Sequence, residues 1–306
     1  VISFNVQHLG VGRLAECLNV LGREGADAIC LQSTGWLIGA DSPNLGEFEL
    51  NCKGQRWRVF SWPTTMEDKN AGTIIAIKRC WTAGDTRVTT FEPFPGRVGV
   101  VRLKRRGRLN FDVRIVCVYV PPAQGGQAQR RFCTQVWEPL ENCMAGGSSR
   151  ALTVVTGDLN AHIGGVSWGS FGGDKAVAPV AGWGGIGTVD GERECHDGRI
   201  LRRVVTAHCW HVPGSFLEGG FTCRGHRGTR SRPDYVLLHS QQVWRLKSYR
   251  VLRKAGEALQ LVAGFDHYPV AAQLVLPALQ GGGPGREQWK CDAVAWAQTW
   301  EGRELR

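Results

Sequence analysis

The chain has 306 residues, a hydrophobic content of 42% and a formal net charge of +10. This length and apolar content suffice for a substantial core and are typical of a globular protein. No apolar run approaches the length of a membrane span, so we expect no membrane partner. The cysteine count is odd, at eleven, and there is no CxxC pair. A reducing compartment is the simpler interpretation, and we expect an intracellular protein.

Apolar periodicity predicts alternating strands and helices along the chain. Strands are expected at 1–6, 28–31, 71–78, 87–91, 98–103, 110–120, 220–223, 235–238, 243–251 and 268–276. Helix faces are formed by Leu14, Cys17, Leu18 and Leu21, by Phe132, Val136, Leu140 and Cys143, and by Ile200, Leu201, Val204 and Val205. A glycine-rich stretch at 164–187 predicts a long surface loop. Because no composition break precedes 281, the pattern predicts one α/β domain of packed sheets.

Two short segments place catalytic residue types at the ends of predicted strands. An apolar run at 151–155 leads into Asp158 and Asn160, whose side chains are expected to leave a buried strand on the same face. Such a pair can hold and deprotonate a water molecule. Asp266 and His267 precede another apolar strand and offer a metal ligand beside a phosphate-binding imidazole. Together the segments predict metal-assisted attack of water on a phosphate ester.

Positive charge is concentrated at 223–254, where nine Arg or Lys residues accompany a single acid, Asp234. Such a stretch is the electrostatic footprint of a protein that binds a polyanion. Its predicted nucleic-acid contacts are Arg224, Arg227, Arg230 and Arg232. The alternative is a solvated basic face that serves solubility. Cysteines and histidines also cluster at 195–226, but their spacings match no common zinc-ligand pattern, so a zinc site is the less favoured interpretation.

Six short segments occur in order along the chain: SFNV at 3–6, ICLQ at 29–32, VYVPP at 118–122, GDLN at 157–160, DY at 234–235 and DHYP at 266–269. As an ordered set they resemble the endonuclease/exonuclease/phosphatase family, which includes DNase I. This resemblance implies a four-layer α/β sandwich of two packed mixed β-sheets flanked by helices. The segments at 161–164, 191–201 and 231–235 look most similar to endonuclease domains of LINE-type retrotransposons, in which a reverse transcriptase follows the nuclease.

The resemblance also implies roles for individual residues. Asp158 would be the general base, Asn160 would orient the attacking water, and Tyr119 would contact the scissile phosphate. His267 would hydrogen-bond a phosphoryl oxygen, while Asp234 would fix its tautomer. Asn5 and Asp266 would flank a divalent metal, Mg²⁺ or Mn²⁺.

The family places a metal-binding Glu directly after the second strand, and this chain has Ser33 there. A hydroxyl in place of a carboxylate predicts weaker metal binding and impaired activity. Two smaller departures from the family pattern are Cys223, where an aromatic residue often follows the Thr, and Pro233, where an aliphatic residue usually precedes the Asp. The expected function is a metal-dependent endonuclease acting on DNA, from a retrotransposon-like polyprotein that continues into a reverse transcriptase. The nuclease domain is expected at 1–278, followed by a linker and the start of a downstream region at 279–306. A degenerate nucleic-acid-binding module and a phosphoinositide phosphatase of the same fold remain alternatives.

Overall fold

A computed structural model describes residues 1–9, 11–36, 46–64, 68, 70–107, 110–123, 126–145, 151–163, 186, 194–215, 220–225, 229–263 and 266–276. Three of the expectations lie outside these ranges: the loop at 164–187 apart from Ile186, the downstream region at 279–306, and Arg227. None of the helices within the described ranges is long and apolar enough to cross a membrane.

The strands and helices alternate irregularly along the chain. In the first half they are β1 (Ile2–Asn5), α1 (Val11–Arg23), β2 (Ala28–Gln32), β3 (Gly46–Cys52), β4 (Gln55–Trp62), β5 (Thr73–Lys78), α2 (Arg79–Thr82), β6 (Arg87–Phe94), β7 (Val98–Arg105) and β8 (Phe111–Tyr119). In the second half they are α3 (Gln127–Ala145), β9 (Leu152–Asp158), α4 (His196–Ala207), β10 (Trp210–His211), β11 (Cys223–Arg224), β12 (Arg230–Ser231), β13 (Asp234–His239), β14 (Leu246–Val251), α5 (Arg253–Ala263) and β15 (Val270–Leu274).

Two mixed sheets contain most of these strands. The first has the order β14-β15-β1-β2-β5-β4-β3, and the second has the order β10-β13-β9-β8-β7-β6. The β1–β2 pair in the first sheet and the β8–β9 pair in the second are parallel. Strands β11 and β12 form a separate antiparallel pair. Because Asn5 at the end of β1 is hydrogen-bonded to Asp158 at the end of β9, the carboxyl ends of both parallel pairs meet at one edge.

Three hydrophobic clusters hold the layers together. The central one packs the sheets face to face and includes Cys30, Ile75 and Val154. A second joins the outer face of the first sheet to α1 and α5, and a third joins the outer face of the second sheet to α3 and α4. The result is helices, sheet, sheet, helices, which confirms the predicted four-layer α/β sandwich. Strands β2, β5 and β9 are covered on both faces, so they are largely runs of apolar residues rather than alternating ones.

Two predicted strands differ from the structure. Of the strand expected at 220–223, only Cys223 belongs to a strand, β11. The strand expected at 243–251 begins later, because a 3₁₀-helix occupies Ser240–Arg245 and β14 starts at Leu246. The Gln242 side chain explains this turn: it is buried, and its amide bonds the backbone of Ala151 and Thr153 at the start of β9. This side-chain contact, rather than pairing with a neighbouring strand, therefore anchors the 3₁₀-helix to the second sheet.

Candidate active site

The residues predicted to be catalytic meet at the edge where the two parallel strand pairs end. Asn5 ends β1, Tyr119 ends β8 and Asp158 ends β9. Asp158 is the register partner of Tyr119 on one side and of Asp234 on the other. His267 reaches the same place from the segment before β15. One network of contacts therefore links both sheets.

Asp158 lies at the centre of this network and is almost wholly buried. Its Oδ2 accepts a hydrogen bond from Asn5 Nδ2 at 2.7 Å, and its Oδ1 accepts one from the backbone N–H of Asn160 at 2.9 Å. Burial, and next the charge of Asp234, raise the pKa of the Asp158 carboxyl from 3.8 to about 7; His267 and the two hydrogen bonds partly offset this. Asp158 can therefore accept a proton near neutral pH.

Gly157 allows Asp158 to occupy this position. A Cβ at residue 157 would lie 1.8 Å from the carbonyl oxygen of Val118 on the neighbouring strand, so only glycine lets β9 approach β8 this closely.

Asn160 reaches Asp158 by a route that strand alternation did not predict. Strand β9 ends at Asp158, and Asn160 follows in a left-handed conformation with φ of 45°. Asparagine tolerates this region better than most residues do. Its Nδ2 donates to Val120 O at 2.8 Å and to Asp158 Oδ2 at 3.2 Å. The two side chains are adjacent as expected, but a tight turn brings them together, and the Asn160 amide holds the carboxylate itself.

His267 and Asp234 form a buried pair, with 2.9 Å between His267 Nδ1 and Asp234 Oδ2. Burial opposes a charged imidazole, but Asp234, a hydrogen bond with Cys223 and the charge of Asp158 outweigh it, so the pKa of His267 is held well above its usual range. His267 is therefore an imidazolium at neutral pH. Its Nε2 faces Asp266, 3.6 Å from Oδ1.

Tyr119 is buried beside Arg97, a residue that sequence reasoning missed. The Arg97 guanidinium lies 4.6 Å from the centre of the Tyr119 ring and pairs with Asp68. Burial, and then Asp158, raise the pKa of the Tyr119 hydroxyl, while Arg97 and a hydrogen bond with Ser33 partly lower it. The phenol therefore stays protonated and can donate a hydrogen bond. Arg97 follows a Pro-Gly turn, and an arginine there carries no signal of its own in the sequence.

The two predicted metal ligands are connected through Gln7, which sequence reasoning also missed. The Gln7 backbone N–H donates to Asn5 Oδ1 at 3.1 Å, and its Nε2 donates to Asp266 Oδ1 at 2.5 Å. The donor set of one carboxylate and one amide oxygen fits Mg²⁺, which is commonly held by one or two protein oxygens while waters and substrate phosphates complete its shell. Asn5 and Asp266 therefore suit a weakly held cation.

Ser33 supplies no additional metal ligand. It is buried in a left-handed conformation with φ of 55°, and its Oγ donates to the carbonyl oxygen of Asn70 at 2.9 Å. Within the described ranges, the groups of ionisable side chains close enough to share an ion are Asp158–Asp234–His267 and Cys223–Asp266–His267. As a serine, position 33 adds no charged ligand to either group.

The basic stretch does not form one exposed face. Arg224 and Arg230 are exposed on the β11–β12 pair, which joins the site where Cys223 pairs with His267. Arg232 is buried, and its guanidinium donates to the carbonyl oxygens of Gly220 and Gly214, so we do not include it among the proposed nucleic-acid contacts.

An aromatic ring accompanies the exposed arginines. The guanidinium of Arg230 lies 4.7 Å from the centre of the Phe221 ring, and that of Arg253 lies 4.2 Å from it. Phe221 in turn packs edge-on against Tyr268, the residue after His267. A positively charged, partly aromatic surface therefore begins directly beside the site.

No family model and no curated protein matches the chain. Solved structures do match. An AP endonuclease from Leishmania major is 16% identical with a TM-score of 0.63, over 90% of this chain and 87% of that one. The endonuclease domain of TRAS1, a telomere-specific non-LTR retrotransposon, is 17% identical with a TM-score of 0.53, over 90% and 97%. The 3′ phosphatase NExo from Neisseria, bound to a product DNA hairpin, is 16% identical with a TM-score of 0.57, over 90% and 98%. At these identities the likeness shows the fold, and it confirms the DNase I-like sandwich.

Proposed function

We propose that the chain is a metal-dependent phosphodiesterase of endonuclease type that acts on DNA. The observation that carries the proposal is the meeting of Asp158, which can accept a proton near neutral pH, with the His267–Asp234 pair at one sheet edge. Hydrolysis of a phosphodiester needs a general base and a fixed positive charge close to it, and Asp158 and the His267 imidazolium supply these two groups.

Asp158 acts as the general base in this proposal. Its carboxylate takes a proton from a water that attacks the phosphorus atom, while the bond from phosphorus to the leaving ester oxygen breaks and that oxygen takes a proton from solvent. The hydrogen bonds from Asn5 and Asn160 fix the orientation of the carboxylate. Because both donors favour the ionised form, they keep the pKa of Asp158 from rising further than burial and Asp234 have already raised it. The Asn160 amide contributes by holding this carboxylate in place.

His267 stabilises the negative charge that develops on the phosphoryl oxygens. Asp234 holds Nδ1 of the ring, so Nε2–H points towards the open side of the site. A charged donor fixed in advance requires no reorganisation during the reaction, and removing such a donor commonly slows an enzyme by about a hundredfold or more. Tyr119, held by Arg97, is the second donor proposed to contact the phosphate.

Mg²⁺ or Mn²⁺ is the proposed cofactor, and Asn5 and Asp266 would hold it. When bound, a divalent cation neutralises charge on the phosphate and polarises its oxygens. Asp266 is the more accessible of the two, with about a third of its side chain exposed (36%), and Gln7 orients it.

DNA is the proposed substrate because the surface beside the site suits a long polyanion. Arg224, Arg230 and Arg253 supply positive charge, and Phe221 offers a ring between two of them. The AP endonuclease and the hairpin-bound phosphatase of the same fold also support a DNA substrate. The TRAS1 domain comes from a non-LTR retrotransposon, which supports an origin of this chain in a retrotransposon polyprotein. A downstream reverse transcriptase and a nuclear site of action are part of the same proposal.

Ser33 favours one other candidate, a nucleic-acid-binding module that has lost turnover. The hydroxyl is committed to Asn70 and gives the cation no charged ligand. Such a module would keep the fold and the basic surface but would leave DNA intact.

Nicking of a supercoiled plasmid separates the two candidates. We expect the wild-type chain to nick in the presence of Mg²⁺ or Mn²⁺ and not in the presence of a chelator. Asp158→Asn and His267→Ala should each lower the rate by at least about a hundredfold. Asp85→Asn, on an exposed turn, is the matched control and should leave the rate unchanged. Nicking retained in either site variant would refute the site, whereas DNA binding without nicking at any metal concentration would establish the binding module.

A further inference from the structure

Cys223 lies directly opposite His267, and Asp266 adjoins both. Cys223 and His267 are partners in an isolated antiparallel bridge. Beside it, the backbone N–H of Arg224 donates to Asp266 O at 3.0 Å. Residues opposite each other on neighbouring strands point to the same side. One ligand atom from each of Cys223, Asp266 and His267 consequently lies within 4.8 Å of the other two.

These three side chains are the wrong set for Mg²⁺ and the right one for a softer ion. Thiolate and imidazole ligands select Zn²⁺ and its analogues over Mg²⁺, which requires oxygen ligands. Bond lengths to a tetrahedral zinc place its ligand atoms about 3.3 to 3.7 Å apart. Asp266 Oδ1 and His267 Nε2 already have that separation, at 3.6 Å. Cys223 can close the remaining gap by side-chain rotation, since it is only partly buried.

The surroundings provide the support that metal ligands usually have. Asp234 bonds His267 Nδ1 at 2.9 Å, which leaves Nε2 as the nitrogen on the side of Cys223 and Asp266. This is the carboxylate–histidine arrangement that commonly orients a zinc-bound imidazole. Gln7 Nε2 in turn holds Asp266 Oδ1. Two of the three ligands are thus positioned by neighbours of their own.

Access distinguishes this trio from the other ionisable group at the site. Asp158, Asp234 and His267 are all buried, whereas Cys223 and Asp266 are both partly exposed. An ion can therefore reach the trio from solvent. With three protein ligands on one side, the fourth position of a tetrahedral ion would face outward and be filled by water.

We infer that Cys223, Asp266 and His267 form a binding site for a zinc-class divalent ion, separate in its chemistry from the proposed Mg²⁺ site. The ion displaces the protons of the Cys223 thiol and of His267 Nε2 on binding, and both protons go to solvent. Occupation of this site takes His267 Nε2 and Asp266 away from phosphate and Mg²⁺. Zinc would therefore block cleavage, a consequence that rests on the proposed function, whereas binding itself does not.

Titration of the full 306-residue chain with Co²⁺, a spectroscopic substitute for Zn²⁺, tests the inference without an activity assay. A thiolate–cobalt charge-transfer band should appear, saturate at one ion per chain and disappear on addition of Zn²⁺. Cys223→Ser should abolish the band, and Cys80→Ser, which removes an exposed cysteine elsewhere, should leave it intact. Asp266→Asn should keep the band but weaken Co²⁺ binding by at least about tenfold.

Two results would overturn the site. One is a band that survives in Cys223→Ser; the other is an affinity that Asp266→Asn and His267→Ala leave unchanged, since the thiol would then bind alone. Circular dichroism of each variant establishes that it is folded, and Cys223→Ala replaces Cys223→Ser if the latter is not. Binding of Co²⁺ by a chain that never nicks DNA would sustain the zinc-class site while refuting the proposed endonuclease.

Discussion

Replacing Asp158 by Asn should make the fold more stable at neutral and alkaline pH, although it removes the proposed catalytic base. The Asp158 carboxyl has a pKa of about 7 in the folded protein and 3.8 as its ordinary value, chiefly because of burial and secondly because of Asp234. Between these two pH values the folded chain holds a proton that the unfolded chain has released. The free energy of unfolding therefore falls as pH rises through this window.

The size of the effect follows from the two pKa values. The rise of the Asp158 pKa from 3.8 to about 7 lowers the free energy of unfolding by roughly 4 kcal/mol once the pH exceeds the pKa of the folded protein. Asparagine avoids this loss, but its amide places a donor against the Asn5 amide and gives up a hydrogen bond worth about 1 kcal/mol. We expect Asp158→Asn to be more stable than wild type by about 2 to 3 kcal/mol at pH 8, and slightly less stable at pH 4.

Urea unfolding at several pH values, in metal-free buffer, measures this difference. The control Asp85→Asn changes an exposed carboxylate and should stay within about 0.5 kcal/mol of wild type at every pH. A stability difference for Asp158→Asn that does not vary with pH would refute the reasoning, because the buried carboxyl would then ionise in the folded chain as it does in the unfolded one.

Three further variants test the charges around the site. Asp234→Asn removes the carboxylate that holds the pKa of His267 high, so the alkaline limb of the plot of kcat/KM against pH should move to lower pH. If that limb does not move, it reports the titration of a group other than His267. Replacing Arg224 and Arg230 together by Ala should reduce the slope of log affinity for DNA against log salt by about 2, and an unchanged slope would favour the solubility role. Ser33→Glu should raise nicking at low Mg²⁺ by about tenfold, or roughly 1.4 kcal/mol, and no gain would favour the binding module.

The sequence was sufficient to predict the parts of the site that lie at strand ends. Asp158 and His267 adjoin long apolar runs, and their positions follow once the strands are identified. The helices were equally accessible, because α1, α3 and α4 each bury one face at regular spacing. We did not predict β3, β4, α5 and the short elements α2, β10 and β12. Strand β4 and helix α5 do bury apolar residues, Trp57 and Val59 in β4 and Ala255 and Leu259 in α5, so their patterns were overlooked, whereas β3 has a weak pattern. In β3 the alternating residues are mostly exposed.

Contacts made by loops could not be predicted, because they depend on backbone conformations that the spacing of apolar residues in the sequence does not reveal. Gln7 bridges Asn5 and Asp266 from a turn in which it has a φ of 42°. Arg97 reaches Tyr119 from the turn between β6 and β7. The burial of Arg232 could not be predicted for a related reason. Composition shows that the residue carries a positive charge, but not that carbonyl groups inside the protein bind its guanidinium.

The departures from the family pattern are each accommodated by the structure. Pro233 precedes β13, so no ladder donor is lost, and its carbonyl oxygen accepts a hydrogen bond from the backbone N–H of Leu159. Cys223 pairs with His267, and the Ser33 hydroxyl is satisfied by Asn70. None of these three residues therefore marks a decaying fold. If the chain proves inactive, we expect the cause to be the missing carboxylate at position 33 rather than instability of the fold, so a folding assay cannot separate the endonuclease from the binding module. Measuring metal-dependent nicking by Ser33→Glu can separate these two candidates.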